Sequence, residues 1–526
     1  MELLRVRVAL VFGIALLAAG SAVGRVAAAG ASITLSPTSG SPGTSISVKG
    51  TGFGQREMVV VSFDAKQAGS AFTDSLGRFS TTIKAPSTAQ PGAHTVSARG
   101  QRSGRSASAP FTVTGGGGGG GTDWPQFRFD QSHTGYQPFE TVLNTSNVPR
   151  LQLAWQAQLG RLVDYSSPAV VGGVAYVGST DGRLWAYPAK GCGQSICTTP
   201  LWTSTGLGQI VDSPAVANGF VYVGSQTSVS DNSGKLDVFR ASGCGGPTCA
   251  PLWQGLAGSQ SILQSSPSVV NGRVYIGGYD DNLYVFNAAG CGAPTCQPLW
   301  TGATGDHVES SPTVSGGTVF VGSNDGSLYA FPAAGCGAAA CSPLWTGPTG
   351  ETIFDSSPAV SNGTVYIGSV HHLSAFPAGG CGASTCQPLW QGSNQQDFVN
   401  GSPAVAGGKV YIGLETEVGV FDASGCGQAS CGPLWLDFGT GTQADVLSSP
   451  TVANGVVYAG KNNGDVLAWP AASCGQFVCD QIWSYTTKDP IVSSSPTVVN
   501  GTVYIGGSNN LAPEDTAGRL YVFALP

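Results

Sequence analysis

A Ser-Pro dipeptide followed by small or β-branched residues recurs eight times in the C-terminal three-quarters of the chain. Its prolines are Pro168, Pro214, Pro267, Pro312, Pro358, Pro403, Pro450 and Pro496, and successive prolines are 45 to 53 residues apart. A repeat of this length that is rich in short strand-like segments is typical of a β-propeller, in which each repeat is one blade. The period therefore predicts an eight-bladed β-propeller over residues 122–526.

Each repeat contains four strand-like segments, as in SSPTV, TVFVGS, SLYAF and PLW of the fourth repeat, with an Asn-Asp-Gly turn between the second and third. Eight repeats contain only seven PLW-like outer segments, and the chain ends on a third segment, RLYVFALP. Trp155, in LQLAWQAQL, precedes the first Ser-Pro motif. We therefore expect this N-terminal segment to supply the outer strand of the last blade and to close the ring.

All fourteen cysteines occur in seven C-x4-C pairs. Zinc binding would require four convergent ligands, and neighbouring pairs are 45 to 52 residues apart with no histidine at ligand spacing. A disulfide within each pair is the favoured interpretation for an exported chain, with about 2 kcal/mol expected from each short loop. The predicted pairs are Cys192/Cys197, Cys244/Cys249, Cys291/Cys296, Cys336/Cys341, Cys381/Cys386, Cys426/Cys431 and Cys474/Cys479.

The first residues have the pattern of a secretory signal peptide. Arg5 and Arg7 precede an apolar run of twelve residues, and an Ala-Ala-Ala sequence that ends at Ala29 suits signal cleavage. Residues 1–29 are therefore predicted to be a signal peptide, with retention as an anchor as the alternative. After cleavage we expect no membrane span and a secreted or cell-surface, extracytoplasmic location.

Composition excludes several other classes. Charged residues are only 10% of the chain, so long amphipathic helices are not expected, and the frequent turn and β-branched residues favour an all-β fold. The net charge of -7 argues against a nucleic-acid partner. Residues 30–114 contain alternating short strands and resemble the IPT/TIG-like immunoglobulin-fold domains, which implies a small β-sandwich. A glycine linker, residues 115–121, follows.

The segment DWPQFRFDQSHTGY, followed by repeated SSPAV, VYVGSTDGRLWAY and PLW, resembles the PQQ-like (quinoprotein-type) β-propeller repeat family. This resemblance implies one of two activities. Quinoprotein alcohol and glucose dehydrogenases carry pyrroloquinoline quinone (PQQ) and calcium, whereas outer-membrane assembly scaffolds bind protein partners and no quinone. The chain lacks the adjacent cysteine pair of the dehydrogenases, and a Cys loop replaces their Thr-Gly-Lys turn. No catalytic residue, metal ligand or cofactor is therefore predicted, with PQQ and calcium expected only for the enzymatic alternative.

Loops that lead into the innermost strands converge on one mouth of a propeller channel. Alignment on the Ser-Pro motif places mostly polar residues there, which suit a cation or a cationic or polyhydroxylated ligand. A solvated, water-filled funnel is the favoured interpretation, and ligand binding is the alternative. The predicted ligand-binding residues are Tyr165, Asp212, Gln264, Glu309, Asp355 and Asn400, with Leu447 and Ser493 completing the ring.

These features favour an exported, non-enzymatic binding or scaffold protein that engages a protein or polysaccharide partner at the cell surface as a monomer. The first alternative is a PQQ-dependent quinoprotein oxidoreductase whose site is the acidic mouth. A lectin-like or wall-associated module is a further alternative. The fold itself does not choose among them.

Overall fold

The computed structural model describes residues 30–526 except 41–43, 65, 87–91, 114–122, 164, 227–233, 259–263, 395–397, 438–443 and 509–517. The predicted signal peptide and glycine linker lie outside the described residues. The chain divides into two compact units, Met1–Thr114 and Gly115–Pro526. Within the described residues the helical structure is one short 3-10 turn, Val148–Arg150, which confirms the predicted all-β fold. None of the described segments is a helix with the length and apolar character of a membrane span.

The first unit is a β-sandwich of a three-stranded and a five-stranded sheet. Alternate residues of its strands face the core, as Val59, Val61 and Phe63 do, because side chains on successive strand residues point to opposite faces. Its strands are Ser32–Ser36, Ser39–Gly40, Ser45–Thr51, Met58–Phe63, Lys66–Phe72, Phe79–Lys84, Gly92–Gly100 and Ser106–Val113.

The described residues of the second unit form eight sheets, one for each sequence repeat, in which neighbouring blade strands are antiparallel. Seven innermost strands follow the Ser-Pro motifs, and the sixth contains its motif: Ala169–Val171, Ala215–Ala217, Ser268–Val270, Thr313–Ser315, Ala359–Ser361, Val399–Ala406, Thr451–Ala453 and Thr497–Val499. The second strands are Val174–Ser179, Phe220–Gln226, Arg273–Gly277, Thr318–Ser323, Thr364–Gly368, Lys409–Leu414, Val456–Gly460 and Thr502–Ser508.

Third and outer strands complete each sheet. The third strands are Arg183–Pro188, Gly234–Arg240, Asn282–Asn287, Ser327–Pro332, Leu373–Pro377, Glu417–Asp422, Asp465–Pro470 and Gly518–Ala524. The outer strands are Trp202–Ser204, Trp253–Ala257, Trp300–Ala303, Trp345–Pro348, Trp390–Gly392, Trp435–Asp437 and Trp483–Thr486, and Gln152–Gln158 is the outer strand of the last sheet. Gln152–Gln158 pairs antiparallel with Gly518–Ala524, so the two ends of the repeat region meet in one sheet, as the sequence predicted.

Neighbouring sheets are joined by a closed circle of hydrogen bonds between the Ser-Pro serines. In each sheet the backbone N–H of this serine donates to the hydroxyl oxygen of the equivalent serine in the next sheet, over 2.8–3.1 Å. The last serine donates to the first, so the circle closes. Its members are Ser167, Ser213, Ser266, Ser311, Ser357, Ser402, Ser449 and Ser495, and all are buried.

The second strands add a further link between neighbouring sheets. In six of them a tyrosine hydroxyl donates to a backbone carbonyl at the end of the next sheet's third strand, over 2.8–2.9 Å. Tyr504 of the last sheet donates to Ala189 of the first. The repeated tyrosines therefore contribute to closure as well as to the core.

The seven predicted disulfides are all present, and the described residues contain no free cysteine. Each Cys loop lies beside the outer strand of the preceding sheet. In six sheets the second cysteine belongs to a two-residue strand that pairs parallel with that outer strand: Ile196–Cys197, Thr248–Cys249, Thr295–Cys296, Ala340–Cys341, Ser430–Cys431 and Val478–Cys479. The loops therefore cover strand edges that would otherwise be unpaired.

The fifth Cys loop differs from the other six in its secondary structure. Cys386 forms the predicted disulfide with Cys381 and is completely buried, but it belongs to no strand, because Thr385 makes only a single bridge with Thr346. The backbone N–H of Cys386 nevertheless donates to the carbonyl of Thr346 over 2.8 Å. This loop therefore covers the edge of the preceding sheet as the other loops do.

The outer-strand tryptophans explain the glycine before each of the first six Cys loops. A Cβ atom on Gly191 would lie 2.9 Å from the indole of Trp155, and this glycine has a φ of 77°. The same close approach recurs in the following five loops. At the junction without a Cys loop, the indole of Trp483 donates to the carbonyl of Leu151, so the chain before the closing strand replaces the disulfide loop.

The segment Trp124–Gln137, here called the channel segment, runs around the inside of the ring. In seven successive sheets, the second residue of the strand motif (Val170, Val216, Val269, Val314, Val360, Val405 and Val452) donates its N–H to this segment. In the eighth sheet, the side-chain amide of Gln137 donates to the carbonyl of Val498. The order of contacts along the segment is the order of the sheets.

Buried polar side chains hold the channel segment in place. The Arg128 guanidinium is 1% exposed and donates to the carbonyl of Pro403. Burial lowers the pKa of His133 to about 3, so its imidazole is neutral, and its Nδ1 lies 2.8 Å from the hydroxyl of Thr313. The segment therefore fills the channel at the end next to the turns between the first and second strands.

A second serine, directly before the Ser-Pro motif, has a separate role. In five sheets, as at Ser166, its hydroxyl accepts a hydrogen bond from a second-strand glycine N–H twelve residues later. Asp212 takes this place in the second sheet, where its Oδ2 accepts from Gly224. Its Oδ1 is buried without a hydrogen-bond partner among the described atoms. Desolvation raises the pKa of Asp212 well above its usual value, and the nearby Asp237 carboxylate raises it further.

The position of the Cys loops predicts that breaking one disulfide loosens the preceding sheet. Gln391 donates its N–H to Ala429 of the next sheet's loop, over 2.8 Å. In Cys426→Ser/Cys431→Ser we expect a loss of about 2 kcal/mol and faster amide exchange at Gln391. Calorimetry and hydrogen exchange measure these effects. In the matched variant Cys381→Ser/Cys386→Ser, the faster exchange should move to Thr346. Faster exchange confined to the loop's own sheet would contradict this role.

Asp212 predicts a substitution that stabilises the protein. A carboxyl group whose pKa is raised on folding destabilises the native state above the pKa of the unfolded chain, about 3.9. This cost diminishes as the pH falls from the raised folded pKa toward 4. Asp212→Ser should therefore stabilise the fold by about 1–3 kcal/mol at pH 7.5 and by less at pH 4.5.

Thermal unfolding at the two pH values measures this difference. Asp422→Ser is the matched control, because Asp422 is exposed and accepts hydrogen bonds only within its own loop. Equal gains at both pH values, or a loss in Asp212→Ser at pH 7.5, would show that the buried carboxylate carries no such cost.

Candidate functional site

Two kinds of loop build the side of the ring opposite the Cys loops and the channel segment, and we call this side the mouth. The loop before each innermost strand packs against the hairpin between the second and third strands. Thus Thr180 donates its N–H to Leu162, and Ile210 donates to Ser179. The Cys loops and the channel segment lie at the opposite ends of the strands. The mouth therefore lies at the ends of the strands away from the channel segment.

Three of the predicted ligand-binding residues come together at the mouth around Tyr279. The Tyr279 hydroxyl donates to Oε1 of Glu309, and this hydroxyl also interacts electrostatically with Asp355 and Tyr165. Residues from the first, third, fourth and fifth repeats therefore form one group, here called the mouth cluster: Tyr165, Tyr279, Glu309 and Asp355.

The mouth cluster is acidic and partly shielded from water. Asp355 is exposed to the channel solvent, yet desolvation by the surrounding protein raises its pKa to about 7, and the Glu309 carboxylate raises it further. Desolvation, followed by the hydrogen bond to Glu309, raises the pKa of Tyr279. Tyr279 therefore remains a hydrogen-bond donor at neutral pH, while Asp355 gains its charge near neutrality.

The other three predicted ligand-binding residues, Asp212, Gln264 and Asn400, are not part of the mouth cluster. Asp212 was aligned one position too late: the residue equivalent to Tyr165 is Val211, and Asp212 is buried in place of a serine. Gln264 has a φ of 69°, and its side-chain oxygen is buried without a hydrogen-bond partner among the described atoms. Asn400 pairs through its backbone with Gly413, and its side chain lies outside the described residues.

The cysteines are structural and take no part in the mouth. Their loops lie at the opposite ends of the strands, and the second cysteine of every pair is buried, Cys386 and Cys197 completely. All fourteen sulfur atoms are committed to disulfides. The disulfide prediction is therefore confirmed, and these residues cover sheet edges instead of contacting a ligand.

Sequence reasoning missed the hairpins as a source of site residues. Tyr279 and Asp281 belong to the hairpin GYDDN, and no hairpin residue is among the predicted ligand-binding residues. The ring of Tyr279 stacks on His307, with centroids 4.6 Å apart, and His307 Nδ1 lies 3.1 Å from Oδ1 of Asp281. The aromatic residue in a turn of small and polar residues was the available signal.

His371 and His372 lie in a hairpin turn of the fifth repeat. Ser369 and His372 exchange backbone hydrogen bonds across this turn. The Nδ1 atoms of the two histidines lie 2.9 and 3.1 Å from the two oxygens of Glu351. Desolvation opposes ionisation of Glu351, but the hydrogen bonds from the histidines outweigh it and lower its pKa.

Solved structures with a similar fold include both enzymes and a non-enzymatic protein. Quinohemoprotein alcohol dehydrogenase from Comamonas testosteroni aligns with a TM-score of 0.56 at 14% identity, over 77% of this chain and 80% of that one. BamB from Moraxella catarrhalis aligns with a TM-score of 0.50 at 16% identity, over 71% and 99%. The computationally designed Ika8 protein aligns with a TM-score of 0.52 at 15% identity, over 70% and 99%. At these identities the likeness shows the fold alone.

Family models match both units. Residues 29–113 match the macroglobulin-like domain, which supports the predicted immunoglobulin-type sandwich through a model other than IPT/TIG. No curated protein matches the chain. Residues 244–511, more than half of the chain, match the family described as outer membrane protein assembly factor BamB. The chain therefore belongs to this family of PQQ-like β-propellers.

Proposed function

We propose that the chain is an exported, non-enzymatic binding propeller that engages a protein partner at the cell surface by receiving a cationic side chain at its mouth. The observation that supports the proposal is the mouth cluster, in which Tyr279 donates to Glu309 and interacts electrostatically with Asp355 and Tyr165. Residues 1–29 serve as the signal peptide, residues 115–121 as the linker, and the protein acts as a monomer.

The chemistry of the mouth cluster suits a lysine or arginine side chain. The carboxylates of Glu309 and Asp355 both act electrostatically on the Tyr279 hydroxyl. Carboxylates in a partly desolvated site attract a cation more strongly than carboxylates on an open surface. Aromatic faces add cation–π attraction of about 0.5–2 kcal/mol. A basic segment of a partner would therefore find both kinds of contact together.

The family supports a protein partner, because its description names a protein assembly factor. The seven disulfides support an extracytoplasmic location, where such bonds persist. A polysaccharide is the other class of partner that these carboxylates would suit, because they accept hydrogen bonds from sugar hydroxyl groups. The acidity of the mouth cluster favours the cationic partner, and the polysaccharide is an outcome of the test below.

The mouth cluster does not fit pyrroloquinoline quinone. This cofactor is a planar tricarboxylate, so it requires cationic or hydrogen-bond-donating partners. Glu309 and Asp355 would repel it unless a calcium ion lay between them, and two carboxylates are few ligands for an ion that prefers six to eight oxygens. The residues of the mouth cluster therefore lend no support to a quinone-dependent oxidation, although a structural neighbour is a quinohemoprotein alcohol dehydrogenase.

A peptide titration tests the proposal. Fluorescence anisotropy would follow the binding of labelled octalysine and octaglutamate to the oxidised chain at pH 6 and pH 8. We expect octalysine alone to bind, and to bind more tightly at pH 8, because the carboxyl group of Asp355 is protonated below its pKa of about 7. Lysine remains charged over this range.

Glu309→Gln/Asp355→Asn should weaken octalysine binding by at least about tenfold, which is the loss expected from removing about 1.4 kcal/mol. Asp355→Asn alone should abolish the increase between pH 6 and pH 8. Asp422→Asn, which removes one carboxylate next to a Cys loop on the opposite side, is the control and should leave binding unchanged.

Three results would overturn the proposal. Equal binding by wild type and the double variant would remove the mouth from the interaction. Binding of a neutral glucan, but not of octalysine, would make the partner a polysaccharide. Stoichiometric binding of pyrroloquinoline quinone with calcium, together with dye-linked alcohol oxidation, would make the protein an enzyme.

A further inference from the structure

We propose that Asp281, Asp306 and His307 form a binding site for one divalent transition-metal ion of the zinc type. One ligand atom from each residue lies within 4.8 Å of the other two. This inference goes beyond the proposed partner binding and does not rest on it, because the site lies behind the Tyr279 ring and contains different residues.

The distances suit a small cation. His307 Nδ1 lies 3.1 Å from Oδ1 of Asp281 and 3.6 Å from Oδ1 of Asp306. Ligands bound at 2.0–2.1 Å to a tetrahedral ion are separated by about 3.3 Å. The two observed distances bracket this value. The two carboxylate oxygens lie within 4.8 Å of each other, so rotation of the half-exposed Asp306 side chain would bring all three atoms to bonding distance.

The backbone fixes the two loops that carry these residues. The Thr304 hydroxyl donates to the carbonyls of both Asp281 and Asp306, over 2.9 and 2.8 Å. The Thr304 N–H also donates to Asp281, and Asn324 donates its N–H to the carbonyl of His307. The stacked ring of Tyr279 holds the imidazole in one plane. The three ligands are therefore positioned before any ion binds.

The repeats supply an internal comparison for this loop. The same threonine bridge recurs at Thr349, between the carbonyls of Gly326 and Glu351, and at Thr487, between those of Gly464 and Asp489. Asp306, Glu351 and Asp489 are therefore equivalent acidic residues. Asp281 stands where the other two repeats have glycine.

The charge of the equivalent acidic residue is compensated differently in each repeat. Glu351 contacts two histidines. Asp489 receives two hydrogen bonds from Arg519, at 2.6 and 2.7 Å. Asp306 instead faces a second carboxylate, and the two share His307. Among the described residues no lysine or arginine forms an ion pair with Asp281 or Asp306. At least one carboxylate charge is therefore left for an external cation.

Asp281 has a backbone conformation that favours glycine. Asp281 has a φ of 65°, in the left-handed region that the equivalent Gly326 and Gly464 also occupy, with φ of 85° and 91°. Glycine adopts this conformation without the steric cost that a Cβ atom brings, and aspartate tolerates it less well. A ligand role explains why an aspartate stands at a position whose geometry favours glycine.

The donor set selects the class of ion. An imidazole nitrogen with two carboxylate oxygens suits Zn²⁺ and neighbouring transition metals. Calcium prefers six to eight oxygen ligands, so it should bind more weakly here. The described residues contain no free cysteine that would compete for the metal.

Isothermal titration of the chelator-treated, oxidised chain with ZnCl₂, and separately with CaCl₂, tests the site. We expect one zinc ion per chain, an increase in Tm on zinc binding, and a visible absorption spectrum of tetrahedral type with Co²⁺. Asp281→Gly is the decisive variant, because it restores the residue of the other repeats. It should keep or raise the metal-free Tm and weaken zinc binding by more than about tenfold.

His307→Ala should weaken zinc binding similarly, and His371→Ala is the control, since His371 belongs to the group around Glu351. Zinc binding that survives Asp281→Gly but is lost in His371→Ala would place the metal at Glu351 and overturn the proposal. No zinc-dependent heat in the wild-type chain would also overturn it. Because no peptide is present, either result leaves the test of partner binding unaffected.

Discussion

The hydrogen-bonded circle of serines sets the geometry of the second unit. Each bond has one member in each of two neighbouring sheets, and Ser495 returns to Ser167. A net contribution of about 1 kcal/mol per buried bond is modest, but an open ring would leave a buried N–H and a buried hydroxyl without partners. The circle therefore couples the number of sheets to their spacing. The tyrosine bonds and the tryptophan–glycine contacts repeat the same step from one sheet to the next.

Two stretches outside the repeats complete this ring. Gln152–Gln158 pairs with the C-terminal strand, and the channel segment contacts the innermost strand of each sheet in turn. Short disulfide loops act at seven junctions, whereas the chain around Leu151 acts at the eighth. The disulfide loops and the chain around Leu151 therefore serve the same purpose, which is to cover the outer strand of the preceding sheet.

The repeats differ in chemistry where one repeat has a different residue from its neighbours at an equivalent position. Asp212 stands in place of a serine and is buried, whereas Asp281 stands in place of a glycine and is partly exposed beside His307. The mouth cluster similarly uses positions that vary between repeats, on loops whose backbone course is fixed by the sheets. A rigid repeated scaffold with variable loops is a common basis for binding surfaces.

The sequence by itself determined the all-β class, the repeat, the disulfide pairs and the strand that closes the ring, because period, cysteine spacing and the missing outer strand are properties of the order of residues. It also selected Tyr165, Glu309 and Asp355 as candidates, and their role in binding is a proposal. It misplaced Asp212, which lies two residues before its proline, whereas the other predicted residues lie three residues before theirs. The hydrogen bond from Gly224 shows that Asp212 is equivalent to the buried serine before the Ser-Pro motif. Only the tertiary structure decided that Tyr279 joins the mouth cluster, that the Cys loops bind the preceding sheet, and that the channel segment contacts all eight sheets. Each of these depends on contacts between residues from different repeats or from distant parts of the chain. Such contacts are set by how the closed ring brings the loops together, and one-dimensional spacing does not encode that arrangement.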